Sequence, residues 1–376
     1  MAKKTEQAQL PIDFVIAWVD GDDPAWLAEK ANYSPTKMAD SASSVRFRDW
    51  DNLQYWFRGV EQFAPWVHRI YFLTWGHLPK WLNTDHPKLK IIRHLDYIPQ
   101  EYLPTFNSHT IELNMHRIPE LSEQFVYFND DMFLTNTVTP EDFFSHGKPK
   151  DTFGLNCIYF GHDSAGHFNG SAMEIINTEF KGQKNAIMKR DRRKWFSGKI
   201  GFRKRLKTFL LLPWEWFPGF HYDHLPSDFL KSTLEEVWEK YADVLDKTCR
   251  CRFREESNVN QWLFKYWQFC KGNYEVRSDR FGEVFHIEEK NLEELCTAIR
   301  TQRYRMICVN DTPRTPDFDK TKQQVNECFE MILPQKSAFE KECPDRYHHK
   351  FSSVQHTVQI MTNSIYARYI IIVYKE

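Results

Sequence analysis

Three polar residues, Asn129, Asp130 and Asp131, close the apolar run FVYFNDDMF from Phe125 to Phe133. A run of that kind fills a buried strand, and ligands of open α/β sheets bind where such strands end. Adjacent carboxylates repel each other unless a cation lies between or beside them. Mg²⁺ (or Mn²⁺) with a nucleotide diphosphate meets that need, because Mg²⁺ takes one or two protein carboxylates and leaves its other positions to phosphate and water. Asp130 and Asp131 are therefore the expected metal ligands. A solvated Asp-Asp pair in a β-turn is the plainer alternative.

Other polar groups fall at similar places. Asp20-Gly21-Asp22-Asp23-Pro24 follows a strand-like run, Ile12 to Val19, and precedes the helix-like AWLAEKA. Turn N–H groups and a helix N-terminus would then face a bound phosphate. Arg46 and Arg48, just before Asp49, can grip a diphosphate by bidentate hydrogen bonds, although a surface Arg–Asp pair reads the same way. Ser108 is the expected N-cap of a helix from His109 to about Ile118, which sets His109, Glu112 and His116 on one face. Their spacing is not H-E-x-x-H, so hydrogen bonding to substrate or to a loop is preferred over zinc. Pro226 and Ser227 predict the start of an amphipathic helix running to about Asp246, with Phe229, Leu230, Leu234, Val237, Trp238, Tyr241 and Leu245 as its apolar stripe. His224 would precede that helix. The positive end of the helix dipole would lower its pKa and keep the imidazole neutral, as a general base requires; a cap or packed histidine is the alternative. Arg305 to Val309 (RMICV) ends in Asn310-Asp311, repeating the pattern of an apolar strand followed by Asn-Asp.

The elements that must hold these groups read β-α-β-β-α-β over residues 12–145, the second and third strands being Arg69 to Trp75 and Lys88 to Arg93, with a helix from about Asp51. This is an α/β class, with a Rossmann-like sheet for a nucleotide sugar, glycosyltransferase-A-like, and a mostly helical insertion. Parallel neighbouring strands would bring both acidic turns to one edge. The expected division is 1–150 as the N-terminal part of the catalytic domain, 151–222 as a basic and aromatic insertion, 223–341 as the part completing the site, and 342–376 as a tail. Helices are expected at Asn258 to Phe269, Asn291 to Thr301 and Phe318 to Ile332, with short strands near Tyr274 and Val284, and a mobile loop at 36–44.

Lys181 to Lys207 holds 12 Lys or Arg against one Asp, and the apolar TFLLLPWEWF follows. That pairing suits peripheral contact of 181–217 with an anionic membrane. A solvated flexible insertion or a clamp for an anionic polysaccharide fits it too. The 376 residues carry 41% hydrophobic and 27% charged side chains, as a soluble globular protein does, and 13 Trp that suit sugar or base stacking. A net charge of −1 speaks against a nucleic-acid partner. The polar N-terminus does not read as a secretory signal, and no run approaches about 18 apolar residues. The eight Cys lack paired C-x-x-C spacing. They read as reduced thiols of a cytoplasmic protein, which the 181–217 stretch would hold at the inner face of the cell membrane.

Taken together, these segments resemble the Stealth family of sugar-1-phosphate transferases. That family includes bacterial capsular and exopolysaccharide phosphotransferases and the animal enzyme that tags lysosomal glycoproteins with N-acetylglucosamine-1-phosphate. The resemblance lies in DFVIAWVDGDDP (Asp13 to Pro24), in RFRD (Arg46 to Asp49) continuing through LPTFNSHTIELNMHRI to FVYFNDDMF, in the region through His224 and Arg254, and in CVND (Cys308 to Asp311). It covers most of residues 12–341 and leaves Lys181 to Phe217 unaligned. It implies transfer of a hexose- or N-acetylhexosamine-1-phosphate from a UDP-sugar donor to a hydroxyl of a glycan or lipid-linked polysaccharide acceptor, with a divalent cation and release of UMP. It also implies catalytic roles for Asp131, His224, Arg254 and Asn310, with Arg252 only two residues from Arg254. Trp18, Asp20, Gly21, Asp22, Arg48 and Asp49 would bind the nucleotide, and Asn107, Ser108 and Glu112 the substrate. The rivals are a metal-dependent glycosyltransferase that releases UDP and a non-catalytic glycan- or membrane-binding protein.

Overall fold

Strands β1 (Ile12–Ala17), β2 (Ile70–Thr74), β3 (Leu89–Arg93) and β4 (Gln124–Asn129) send alternate side chains into two apolar layers. Val15, Tyr71, Leu73, Phe125 and Tyr127 enter one layer. Phe14, Ile16, Ile70, Phe72, Val126 and Phe128 enter the other. Strands buried on both faces carry unbroken apolar runs, which is why these segments were legible as strands. The computed structural model describes residues 10–34, 48–161 and 165–342. Arg46, the 36–44 loop and the tail beyond 342 lie outside the described residues.

Short strands β5 (Met132–Leu134), β6 (Phe144–Ser145) and β7 (Lys148–Asp151) follow, then β8 (Ser227–Leu230), β9 (Glu275–Val276), β10 (Gly282–His286) and β11 (Met306–Asn310). The main sheet has the order β3-β2-β1-β4-β8, parallel except for β8, which runs antiparallel to β4. A second sheet, β10-β11-β5, lies beside it, and β6-β7-β9 form a third. The class is α/β, as expected. Helices Leu53–Phe63, Leu292–Arg300 and Phe318–Ile332 occupy their expected places, and their buried residues enter the second apolar layer.

Two expectations fail. The helix foreseen from Ser227 begins only at Lys231 and runs to Arg250, with non-helical angles at Tyr241. Ser227–Leu230 is instead a strand, because β4 offers it an open edge: Tyr127 pairs with Ser227 and Phe125 with Phe229. Asp228 on this strand is buried and meets Arg277 at 3.1 Å, while Asp151 meets Lys265 at 2.8 Å and Arg277 at 3.8 Å. Two acids face two bases there, while burial pushes the Asp228 carboxyl up to about 8 against the pull of Arg277. Second, Asn107 rather than Ser108 caps the next helix, its side chain accepting from His109 N. That helix is short, Ser108–Leu113, and a 3₁₀ turn at Met115–Arg117 replaces its expected end.

The basic insertion is a packed helical layer, not a solvated flexible one. Its helices Gly166–Glu179, Lys184–Arg190, Arg192–Trp195 and Phe202–Leu210 bring Ile176, Ile187 and Trp195 into the first apolar layer. Several of its cations cap carbonyl groups that helix ends leave unsatisfied. Lys184 is buried and donates to the carbonyls of Leu211 and Leu212 at 2.9 and 3.1 Å, and to that of Trp214. Arg190 donates to the carbonyls of Phe269 and Cys270. Cysteines 157, 249, 251, 270, 296, 308 and 328 are free. Among the described residues no helix is long and apolar enough to cross a membrane.

Buried His94 and half-buried His116 make stability depend on pH. Burial, with His77 nearby, pushes His94 down to about 4; burial, with Arg117 nearby, pushes His116 down to about 3. Both native values lie below the unfolded value, so the unfolded chain takes up protons that the native chain refuses as pH falls below 6.5. His94 alone is expected to cost about 2 kcal/mol between about pH 7 and about pH 5. Urea unfolding at both pH values reads this loss, and His94→Gln, which cannot titrate, should shrink it by that amount. An unchanged pH dependence would refute the assignment.

Candidate functional site

Pairing of strands brings four distant segments together. β1 and β4 are parallel and Ala17 pairs with Asn129, so the Trp18 to Asp23 turn lies beside the Asn129–Asp131 turn. Both acidic turns share one sheet edge, as expected. β8 runs the other way, so its entry, three residues after His224, meets the exit of β4. Asn129 Nδ2 consequently lies 3.3 Å from His224 Nε2, and Asp131 Oδ2 lies 3.5 Å from it. β11 pairs antiparallel with β5, Val309 N donates to Asp131 O at 2.8 Å, and Asn310 arrives at the same place. His286, at the end of β10, pairs with Asn310 in parallel register, and their side chains meet at 2.8 Å.

A cleft of about 540 Å³ opens here, lined by His109, Glu112, Asn129, His224, Arg254, His286 and Asn310, with Tyr222 and Trp262 on its wall. The Tyr222 and Trp262 rings lie 4.3 Å apart, centre to centre. Arg252 takes no part: it donates to the Pro104 carbonyl and covers Tyr33 at 4.6 Å. Arg254 reaches the cleft and donates to Ser108 Oγ. Its loop is held by Asn107, which is wholly buried and donates to the carbonyls of Cys251 and Phe253 at 3.1 and 3.3 Å and to Asn258 Oδ1 at 2.8 Å. Asn107 thus meets the site through the Arg254 loop rather than by lining the cleft. Glu112 is buried and accepts from Gln261 N at 3.3 Å. Burial pushes its carboxyl up to about 7 against the pull of Arg254.

The shift of His224 is the reverse of that expected. Burial favours the neutral ring, but Asp131, by charge and hydrogen bond, and then Glu112 outweigh it, and the net shift is upward. No helix starts beside His224, so no dipole opposes them. Asp130 is open to solvent at its edge, yet loss of hydration in the crowded turn, followed by the Asp131 carboxylate, pushes it up to about 7.

Asp131 Oδ1 is buried without a hydrogen-bond partner, while Oδ2 accepts from Cys308 Sγ at 3.2 Å. A carboxylate oxygen left bare in this way beside a second carboxylate fits an oxygen-seeking divalent cation. Among the described residues the group close enough to share an ion is Asp131, His224 and Cys308. Burial holds the Cys308 thiol well above its usual value, so it acts as a donor to Asp131. The trio His109, Glu112 and His116 does not form a metal site: His116 packs on Trp238.

The turn after β1 lies outside that cleft. Asp20 N donates to His77 Nε2 at 2.7 Å, Asp22 N to Asp20 Oδ1 at 3.0 Å, and Asp23 caps the Pro24–Tyr33 helix. Gly21 is buried in this turn, and Trp18 packs edge-on against His77 at 5.3 Å. Arg48 lies 3.7 Å from Asp311, and Asp49 adds to the negative field on Asp130. These residues therefore ring the carboxylate pair from the other side. Cys308, His286 and His77 were missed. Cys308 was within reach, since alternation sets it on the same strand face as Asn310; the other two depend on strand pairings that sequence does not display.

Comparison with known proteins follows the same segments. The family models for Stealth protein CR1, conserved region 1, and CR2, conserved region 2, match residues 10–38 and 46–152. The capsular polysaccharide phosphotransferase WcwK of Streptococcus pneumoniae is 39% identical over 332 residues, 88% of this chain and 98% of that protein. The receptor polysaccharide phosphotransferase WefC of Streptococcus oralis is 40% identical, with 88% and 99% covered. The exopolysaccharide phosphotransferase cps2G of Lactiplantibacillus plantarum is 41% identical, with 88% and 96% covered. Among solved structures, the galactosyltransferase LgtC with donor and acceptor sugar analogs is 12% identical and covers 89% of this chain and 98% of its own, with a TM-score of 0.37.

The Asn107 clamp can be tested without substrate. Asn107→Ala is expected to cost about 2–4 kcal/mol, since it strips bonds from buried carbonyls, whereas Ser108→Ala should cost less than about 1 kcal/mol. Equal urea midpoints for the two variants would show that the clamp holds nothing.

Proposed function

Because the chain belongs to the Stealth family of polysaccharide phosphotransferases, we propose that it moves a hexose- or N-acetylhexosamine-1-phosphate from a UDP-sugar to a glycan or lipid-linked polysaccharide hydroxyl. The observation that carries this reading is the meeting of Asn129, His224, Arg254 and Asn310 around one cleft, with Asp131 3.5 Å from His224. The relatives are named for phosphotransfer in capsule, receptor polysaccharide or exopolysaccharide. The work would take place in the cytoplasm, at the inner face of the membrane.

In the reaction, the acceptor oxygen attacks the β-phosphorus and a new P–O bond forms. The bond from that phosphorus to the oxygen bridging to the α-phosphate breaks, and UMP leaves with the bridging oxygen. The anomeric C–O bond stays intact. Such transfer asks the protein for positioning and for stabilisation of charge. Arg254 faces the phosphoryl oxygens from a loop that Asn107 and Ser108 hold. His224, oriented by Asn129 and Asp131, takes the proton of the acceptor hydroxyl. Asn310, set by His286, orients donor or acceptor, and Glu112 backs Arg254 and His224. Trp18, the Asp20–Asp22 turn, Arg48 and Asp49 hold the nucleotide, and Tyr222 with Trp262 gives an acceptor sugar an apolar wall. Asp130 and Asp131 would hold Mg²⁺ or Mn²⁺, which would offset diphosphate charge and weaken the Asp131 pull that shifts His224 upward.

Incubation with a panel of UDP-sugars, Mg²⁺ and a glycan acceptor, followed by chromatography of the nucleotide, separates the readings. UMP is expected. UDP would mean glycosyl transfer, and absence of turnover would leave only a binding role. His224→Ala should slow turnover about 10²–10⁴-fold, and a fully active variant would remove the base assignment. Chelation by EDTA is expected to stop the reaction.

A further inference from the structure

The helix Phe202–Leu210 is turned inside out. Its polar side faces the protein: Thr208 is wholly buried and its Oγ1 accepts from Leu155 N at 3.0 Å. Lys204, one turn earlier on that side, pairs with Asp223 at 3.1 Å and Asp279 at 3.2 Å. The opposite side carries Phe202, Leu206, Phe209 and Leu210, which are 69, 44, 60 and 63% exposed. Trp214 and Trp216 follow, 58 and 41% exposed. A helix that ends in water buries its apolar stripe, and a contiguous outward stripe of this kind marks a contact surface.

The flanks decide what the surface contacts. Arg203 and Lys207 border the stripe on one side and Arg205 on the other. We propose that this face seats on an anionic lipid surface, the rings and leucines entering the headgroup layer and the cations meeting lipid phosphates. A second copy docked on the same face would set these cations against one another. The chain beyond 342 offers no acidic complement to these cations either: Arg346, Lys350, Arg368 and Lys375 outnumber Asp345 and Glu376. Through Lys204, the helix is tied to Asp223, which lines the cleft next to His224. Seating here would therefore bring the cleft to a lipid-borne acceptor, a consequence that rests on the transferase reading. Lipid binding itself does not.

Sedimentation of the full chain with vesicles tests the proposal without donor or acceptor. Binding is expected to phosphatidylcholine vesicles holding about 30% phosphatidylglycerol, weaker in high salt and weaker still on phosphatidylcholine alone. Phe209→Glu with Leu210→Glu should cut the bound fraction about tenfold or more. Phe202→Ser with Leu206→Ser should reduce it with no change of charge, and circular dichroism of both variants checks that they fold. Failure to bind anionic vesicles at low salt would overturn the proposal, as would equal binding by both folded variants. Light scattering that shows a dimer, lost in the glutamate variant, would overturn it in favour of self-association. Because turnover is not read, a negative result here is separate from failure of the transferase reading.

Discussion

The antiparallel pairing of β8 with β4 is the constraint on which the site depends. It alone brings His224 to the exit of β4. A slip of one residue would turn every side chain of β8 to the other face and shift His224 by about 3.4 Å, enough to part it from Asp131. Asp228 guards against that slip, since its carboxylate is buried against Arg277 and a slipped strand would leave both charges uncompensated. Breaking a buried pair in that way costs about 3–5 kcal/mol. The ion quartet thus fixes geometry at a distance from the chemistry.

The carboxylate pair sets the electrostatics. Asp131 shifts His224 upward, accepts a hydrogen bond from the Cys308 thiol and leaves one oxygen bare. Asp130 is pushed toward the neutral form chiefly by loss of hydration, and then by Asp131. The whole turn is therefore short of positive charge on its inner side, and Arg254, the one guanidinium lining the cleft among the described residues, stands across from it. A diphosphate with a divalent cation supplies both signs at once. In the proposed reaction Arg254 would answer the phosphate, and the bare Asp131 oxygen the ion.

Much of this was legible in the residues. The apolar runs of β1, β2, β4 and β11 announced strands, and the Asn-Asp endings marked the places where they stop beside one another. Helix Phe318–Ile332 followed from periodicity alone. Ser227–Leu230 misled for a physical reason. Pro226-Ser227 is a good helix opening, and Phe229 with Leu230 extends a helical stripe, but the free edge of β4 outbids local propensity. The expected downward shift of His224 went wrong with it, because the supposed dipole was never there. The lysines of the insertion read as outward cations for a membrane, solvent or a polysaccharide, whereas Lys184 and Lys194 reach backbone carbonyls about thirty and eighty residues away. Acceptors of that kind leave no mark in a linear pattern.

The placement of β5 also governs how the molecule can come to be. Asp131 and Cys308, which touch, are 177 residues apart in the chain. β5 must therefore wait for β11 with its edge unpaired while the intervening polypeptide is made and packed. Contacts of such long range slow folding, and open strand edges invite wrong partners in the meantime. A nascent chain halted before β11 would carry the whole main sheet but lack Cys308 and Asn310, and it is there that a molecular chaperone would find most to hold.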